Sequence, residues 1–113
     1  MEITEREVDG VTILDLKGTM TLGEGDDELK DKVRSLIGQG KMAIVFNMGG
    51  TPYIDSAGLS EVVRSYTTIS RFGGTIKLLA ISKRVEDLLV TTKLLAVFDI
   101  FEDEVSAVQS FKE

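Results

Sequence analysis

The chain is predicted to be an α/β domain: a mixed, mostly parallel β-sheet that opens with an N-terminal hairpin and is covered by about four helices. Three observations carry this expectation. Asp9-Gly10 separates two short runs in which apolar and polar residues alternate, the pattern of two strands joined by a tight turn. The apolar runs MAIVF (42–46) and TIKLLAI (75–81) then alternate with stretches of helical period. The 113 residues hold a single proline, Pro52, and no linker, repeat or low-complexity segment, so 1–113 reads as one domain.

Each element follows from its residues. MEITEREV alternates weakly. VTILDLKG follows the turn with Val11, Ile13, Leu14 and Leu16 apolar. From Asp26 the period changes, because Leu29, Val33, Leu36 and Ile37 make a helical stripe. Asp26, Asp27 and Glu28 crowd its first turn, where the helix dipole favours acids, and Gly38 and Gly40 end it. MAIVF is a buried central strand, and the stretch from Asn47 to Pro52 is the loop after it. A second helix starts near Ser56 and turns Leu59, Val62, Val63, Tyr66 and Ile69 inward until Gly73-Gly74. TIKLLAI is the next strand. Ser82 caps a third helix with Val85, Leu88 and Leu89 inward. LLAVFDIF (94–101) fits either a helix end or a short edge strand. Asp103 opens a last helix with Val105, Val108 and Phe111 inward.

Composition narrows the function. At 42% hydrophobic and 28% charged, the chain can build a core. Thirteen basic and nineteen acidic residues give a net charge of −6, which argues against nucleic acid or an anionic membrane as partner. With no Cys and no His, disulfides are excluded and a zinc site is disfavoured. The opening MEITEREVDG has no apolar core and does not read as a signal peptide, and no apolar run reaches membrane-spanning length. A soluble, cytoplasmic protein is expected.

The same inventory disfavours catalysis. A Ser-His-Asp triad lacks its base, and no Ser-x-x-Lys motif replaces it. Gly18 and Gly23 have phosphate-loop spacing, but Glu24 stands where the lysine belongs. Asp26-Asp27-Glu28 reads as a solvated helix start rather than a metal cluster. A phosphate-receiver domain would want an aspartate where Asn47 ends the central strand. No cofactor and no metal are expected.

What stands out is YIDSAGLSEVVRSY (53–66): a carboxylate and a hydroxyl at the mouth of an amphipathic helix. Ser56 is a helix cap on the simplest reading. A capping box is absent, since Gly58 and Leu59 stand where Glu or Gln would. Gly58 in a first turn costs roughly 1 kcal/mol relative to alanine, and with Ala57 it leaves backbone N–H groups accessible. The other reading is that Ser56 is a substrate, with the activating base supplied by a partner.

Tyr53-Ile54-Asp55-Ser56-Ala57-Gly58-Leu59 resembles the Asp-Ser-x-Gly-Leu signature of STAS domains, specifically of bacterial anti-sigma factor antagonists. The likeness covers nearly the whole chain, from the hairpin ending at Leu16-Lys17-Gly18 to TTKLLAVFDIFEDEVSAVQSF. It implies a switch protein, not an enzyme. Ser56 would be phosphorylated by an anti-sigma factor that is an ATP-dependent serine kinase. The unphosphorylated form would bind that kinase and free a sigma factor. Phosphate would release it, and a PPM-type phosphatase would restore it. Asp55 and Gly58 would shape the helix mouth, and Asn47 would lie near the serine. The added charge of about −1.5 to −2 would weaken binding without unfolding the domain. Thr21 stands near a place where many relatives carry aspartate, and Ser60 replaces a common glycine and is a competing hydroxyl.

Position then gives the expected partner surface. Thr21, Leu22 and Gly23 lead into the first helix; Met48, Tyr53, Ile54 and Ala57 lead into or open the motif. The apolar members form a docking patch or pack onto the sheet edge. Ser60, Glu61 and Arg64 are expected on the outer face of the motif helix. The protein would be a monomer or weak dimer. The alternative is a non-switching STAS scaffold, or a module sensing a nucleotide or other small ligand.

Overall fold

A computed structural model describes residues 1–112; Glu113, the last residue of the expected 1–113 domain, lies outside them. Strands β1 (Glu2–Val8) and β2 (Val11–Lys17) form the antiparallel hairpin. Asp9 and Gly10 both take positive φ, 52° and 81°, as a turn matching the strand twist requires. Helix α1 (Asp26–Gly38) leads to β3 (Ala43–Gly50), α2 (Ser56–Arg71) and β4 (Thr75–Leu79). Helix α3 (Lys83–Thr91), capped by the Ser82 hydroxyl at Val85 N, precedes a short 3₁₀ turn at Leu95–Val97. The edge strand β5 (Ile100–Phe101) and α4 (Glu104–Ser110) complete the fold. The stretch 94–101 thus contains both structures it allowed, a helical turn and then an edge strand.

The strands run in the order β1-β2-β3-β4-β5, and every pair after the hairpin is parallel. The fold is therefore the expected mixed, mostly parallel sheet. Helices α1, α2 and α3 cover one face. Leu29, Leu36, Leu59, Val62, Ile69 and Val85 meet Leu14, Leu16, Ile44, Phe46 and Leu78 there. On the other face, Ala107 and Val108 of α4 lie on Val11, Ile13, Val45 and Leu79. Lys77 also points there, with its ammonium 2.7 Å from Ser110 Oγ and 4.4 Å from the Phe111 ring centre. Val105, expected inward, is 70% exposed. Ala107 takes its place because α4 is short and meets the sheet through the 107–108 side.

The largest departure concerns β3. The strand continues four residues beyond MAIVF, through Asn47-Met48-Gly49-Gly50. Gly50 lets the chains close up: a Cβ there would sit 3.0 Å from Lys17 Cγ and 3.1 Å from the Leu16 carbonyl. The β2–β3 register shifts between Asp15 and Lys17, and Gly18 N donates to Gly50 O at 2.9 Å. Asn and Gly-Gly usually signal a turn, but here they extend a central strand.

Candidate functional site

The site lies beyond the carboxyl ends of β2 and β3, where two loops meet. Residues 19–25 precede α1, and residues 51–55 precede α2. Met20 joins them: its N–H donates to Tyr53 O and its carbonyl accepts from Asp55 N, both at 3.2 Å. Ile54 bridges the same methionine. In the first loop, Thr21 and Glu24 exchange backbone hydrogen bonds of 2.8 and 2.9 Å. That pinch leaves Leu22 and Gly23 at the tip, with Leu22 79% exposed.

Asp55, not Ser56, caps α2. Its Oδ1 accepts from Gly58 N at 2.9 Å, and its Oδ2 accepts from Leu22 N at 3.3 Å. The Gly58 N–H, helped by that of Leu22, holds the Asp55 carboxyl below the usual carboxylate range. This cap is therefore in place above the ordinary carboxylate pKa and is lost as pH falls through the lowered value. Asp55→Ala is expected to lower the melting temperature at neutral pH. Asp55→Asn, also a good cap, should retain most of it and remove this part of the acid dependence. Calorimetry at pH 7 and at pH 3 measures both; equal melting temperatures for wild type and Asp55→Ala at pH 7 would refute the cap's role.

With the cap assigned to Asp55, the Ser56 hydroxyl is spared. Ser56 is the first helical residue, is exposed, and its Oγ joins no hydrogen bond among the described residues. Ser60, the competing hydroxyl, is engaged instead, donating to Ser56 O at 2.8 Å. Gly58 is buried beneath Met20, and no side chain fits there. The glycine thus serves close packing, and its N–H is taken by Asp55 rather than left open at the mouth. Ala57 is half-buried beside Ser56.

Ser56 forms a ridge between two open clefts. One, of about 400 Å³, is walled by Tyr53, Asp55, Arg84 and Asp87. The Arg84 guanidinium stacks 4.3 Å from the Tyr53 ring centre. The other, of about 440 Å³, is walled by Leu59, Ser60, Val63, Arg64 and Leu94. Arg84 and Asp87 were not among the residues expected at the site. They lie about thirty positions along the chain, and only the packing of α3 beside the motif brings them there.

Four expected site residues stand elsewhere. Met48 is 1% exposed, because β3 continues and alternation carries it inward with Ile44 and Phe46. Ile54 is 3% exposed and packs in the same core. Neither belongs to a docking patch. Asn47 faces the opposite side of the sheet from α2, for the same reason of alternation. Its Nδ2 donates to Asp15 Oδ1 at 2.7 Å and its Oδ1 accepts from Gly49 N at 3.1 Å. Asp15 in turn pairs with Arg6, which also binds Glu104 of α4. Glu61 is 5% exposed rather than on the outer face. It turns toward α1, accepting from Ser65 Oγ at 3.2 Å with Arg64 Nε 3.5 Å away. Arg64 itself is exposed, as expected.

No helix among the described residues is long and apolar enough to cross a membrane. The family model for the STAS domain matches residues 2–107. BtrV of Bordetella bronchiseptica, a candidate anti-sigma factor antagonist, is 23% identical over 112 residues, which is 99% of this chain and 96% of BtrV. A candidate anti-sigma factor antagonist of Thermotoga maritima superposes with a TM-score of 0.90 at 22% identity, covering 98% of this chain and 95% of that one. The anti-sigma factor antagonist SpoIIAA in its unphosphorylated form gives 0.72 at 17% identity, covering 98% of each chain. The phosphorylated form of SpoIIAA, a Bacillus cell fate determinant, gives 0.77 at 18%, covering 97% of this chain and 99% of that one.

Proposed function

The chain belongs to the STAS domain family, and we propose that within it this protein is an anti-sigma factor antagonist switched by phosphorylation of Ser56. The observation that carries the reading is the division of labour at the helix mouth. Asp55 does the capping, so the neighbouring serine is exposed with its hydroxyl uncommitted. That is what a substrate serine needs and a structural one does not. The likeness to SpoIIAA in both its phosphorylated and unphosphorylated forms supports it.

The unphosphorylated protein binds an anti-sigma factor that is also an ATP-dependent kinase, and so frees a sigma factor in the cytoplasm. The surface it offers is the exposed Leu22-Gly23 tip with Thr21, the half-buried Tyr53 and Ala57, and the outer face of α2 at Ser60 and Arg64. In phosphoryl transfer, Ser56 Oγ attacks the γ-phosphorus. The Oγ–P bond forms as the bond to the ADP oxygen breaks, and the hydroxyl proton passes to a base of the kinase. The product carries about −1.5 to −2 more charge at neutral pH. The start of α2 tolerates that charge, so the fold persists while the partner interface gains bulk and repulsion. A PPM-type phosphatase hydrolyses the phosphoserine and resets the switch.

The test is intact mass after incubation with the cognate kinase and Mg-ATP. One phosphate on wild type and none on Ser56→Ala is the expected result. A stable complex without phosphate transfer would overturn the switch in favour of a scaffold, and phosphate on both proteins would move the site to Ser60 or elsewhere.

A further inference from the structure

The geometry points to Arg84 as an intramolecular receptor for a phosphomonoester on Ser56: the modified side chain folds into the cleft between α2 and α3, and the guanidinium leaves Tyr53 to bind it. This rests on the reading of Ser56 as the phosphoacceptor and adds what becomes of the phosphate afterwards.

The argument begins with Arg84 itself. It lines the same cleft as Ser56, is exposed, and forms no ion pair among the described residues. Its neighbour Lys83 is committed, to Asp87 at 3.1 Å and Glu86 at 3.4 Å. Among the described residues Arg84 is held by stacking 4.3 Å from the Tyr53 ring centre. A planar cation stacked on a ring at the protein surface is weakly held, whereas a guanidinium meets phosphate through two parallel, charge-assisted hydrogen bonds. A dianion on Ser56 therefore competes successfully for it.

The other charges facing Ser56 do not offer the same service. Asp55 repels phosphate and is occupied by the Gly58 and Leu22 N–H groups. Asp87, across the cleft, repels it too, but its charge is partly answered by Lys83. Arg64 borders the second cleft and stands 3.5 Å from the buried Glu61 carboxylate, which would lose its paired cation if Arg64 moved. Arg84 is the cation that can turn without uncovering a buried charge.

The consequence for the switch is twofold. Phosphate drawn into the cleft fills a recess that a partner would otherwise enter. Arg84 leaving Tyr53 also bares the aromatic ring and removes a positive charge from its face. Modification of one hydroxyl thus changes both the shape and the charge pattern of the surface.

The experiment installs phosphoserine at position 56 during translation, so no kinase is needed. The ³¹P resonance of the purified full chain is then titrated with pH. A nearby cation favours the dianion and lowers the phosphate's second pKa. The wild-type midpoint is expected about half a unit below that of Arg84→Gln. Lys93→Gln, which removes an exposed cation that lines neither cleft, should leave the midpoint unchanged. Equal midpoints in wild type and Arg84→Gln would overturn the proposal. So would an equal shift from Lys93→Gln, since it would mean a diffuse field rather than a contact. Absence of any kinase acting on Ser56 would sink the phosphoacceptor reading while leaving this titration intact, so the two failures are separable.

Discussion

Alanine at position 58 is expected to lower the unfolding free energy by about 3 kcal/mol, the upper end for overpacking. On helix propensity alone the change should stabilise by about 1 kcal/mol, so even the sign distinguishes the two effects. The reason is contact. A Cβ on Gly58 would stand 2.2 Å from the Met20 carbonyl oxygen and 2.9 Å from its carbon. That carbonyl is not free to yield, because it accepts from Asp55 N while the Met20 N–H is bound to Tyr53 O. Either α2 moves away from the 19–25 loop or both hydrogen bonds break. Urea unfolding of the two proteins measures it. A midpoint at or above wild type would mean that α2 shifts cheaply and that the close approach has little structural weight.

The second large effect lies on the far face of the sheet. Arg6 Nε and Nη2 donate to Asp15 at 2.7 and 3.1 Å, and the same guanidinium holds Glu104. Arg6 foremost, then Asn47, holds the Asp15 carboxyl below the usual carboxylate range; Arg6 does the same to Glu104. Arg6→Ala leaves the mostly buried Asp15 carboxylate with Asn47 as its remaining side-chain hydrogen-bond partner. The pair is less buried than an interior one and more so than a surface one, so about 2 kcal/mol is expected at pH 7. Both carboxyls are lowered in the fold. Their contribution is therefore complete above the ordinary carboxylate range and is lost as pH falls through the folded values. Wild type and Arg6→Ala should differ most at neutral pH and converge toward pH 2. A gap that stays constant across that range would show that Arg6 acts through its aliphatic stem and not its charge.

The parts of this molecule that could be read from residues alone are those decided locally. The Asp9-Gly10 turn, the apolar run of β3 and the stripe of α2 each follow from neighbours within a few positions. The Asp-Ser-Ala-Gly-Leu motif at the start of α2 was legible for the same reason. The misreadings all required knowing what a residue faces. Glu61 looks solvent-bound by chemistry, yet it shares a polar stripe with Ser65 and Thr68 that faces α1. Met48 and Asn47 read as loop residues in the sequence because glycines follow them. In a strand that continues, the same two residues must point to opposite faces, one into the core and one into the Arg6–Asp15 cluster. Arg84 carried no local sign at all, because its place beside Ser56 depends on where α3 packs.

The double link through Met20 also bears on how the serine is presented. Proteins open piecemeal, in units whose members break and reform their backbone bonds together. The amides of Met20, Leu22 and Asp55 bind across the two loops, so those loops form one such unit rather than two. The serine cannot be peeled out toward a kinase as a flexible peptide would be without also unfastening the start of α1. On the function proposed above, a kinase must therefore accept Ser56 on a rigid corner, reading the shape of two loops at once, and a loose segment carrying the same motif would make a poor substitute.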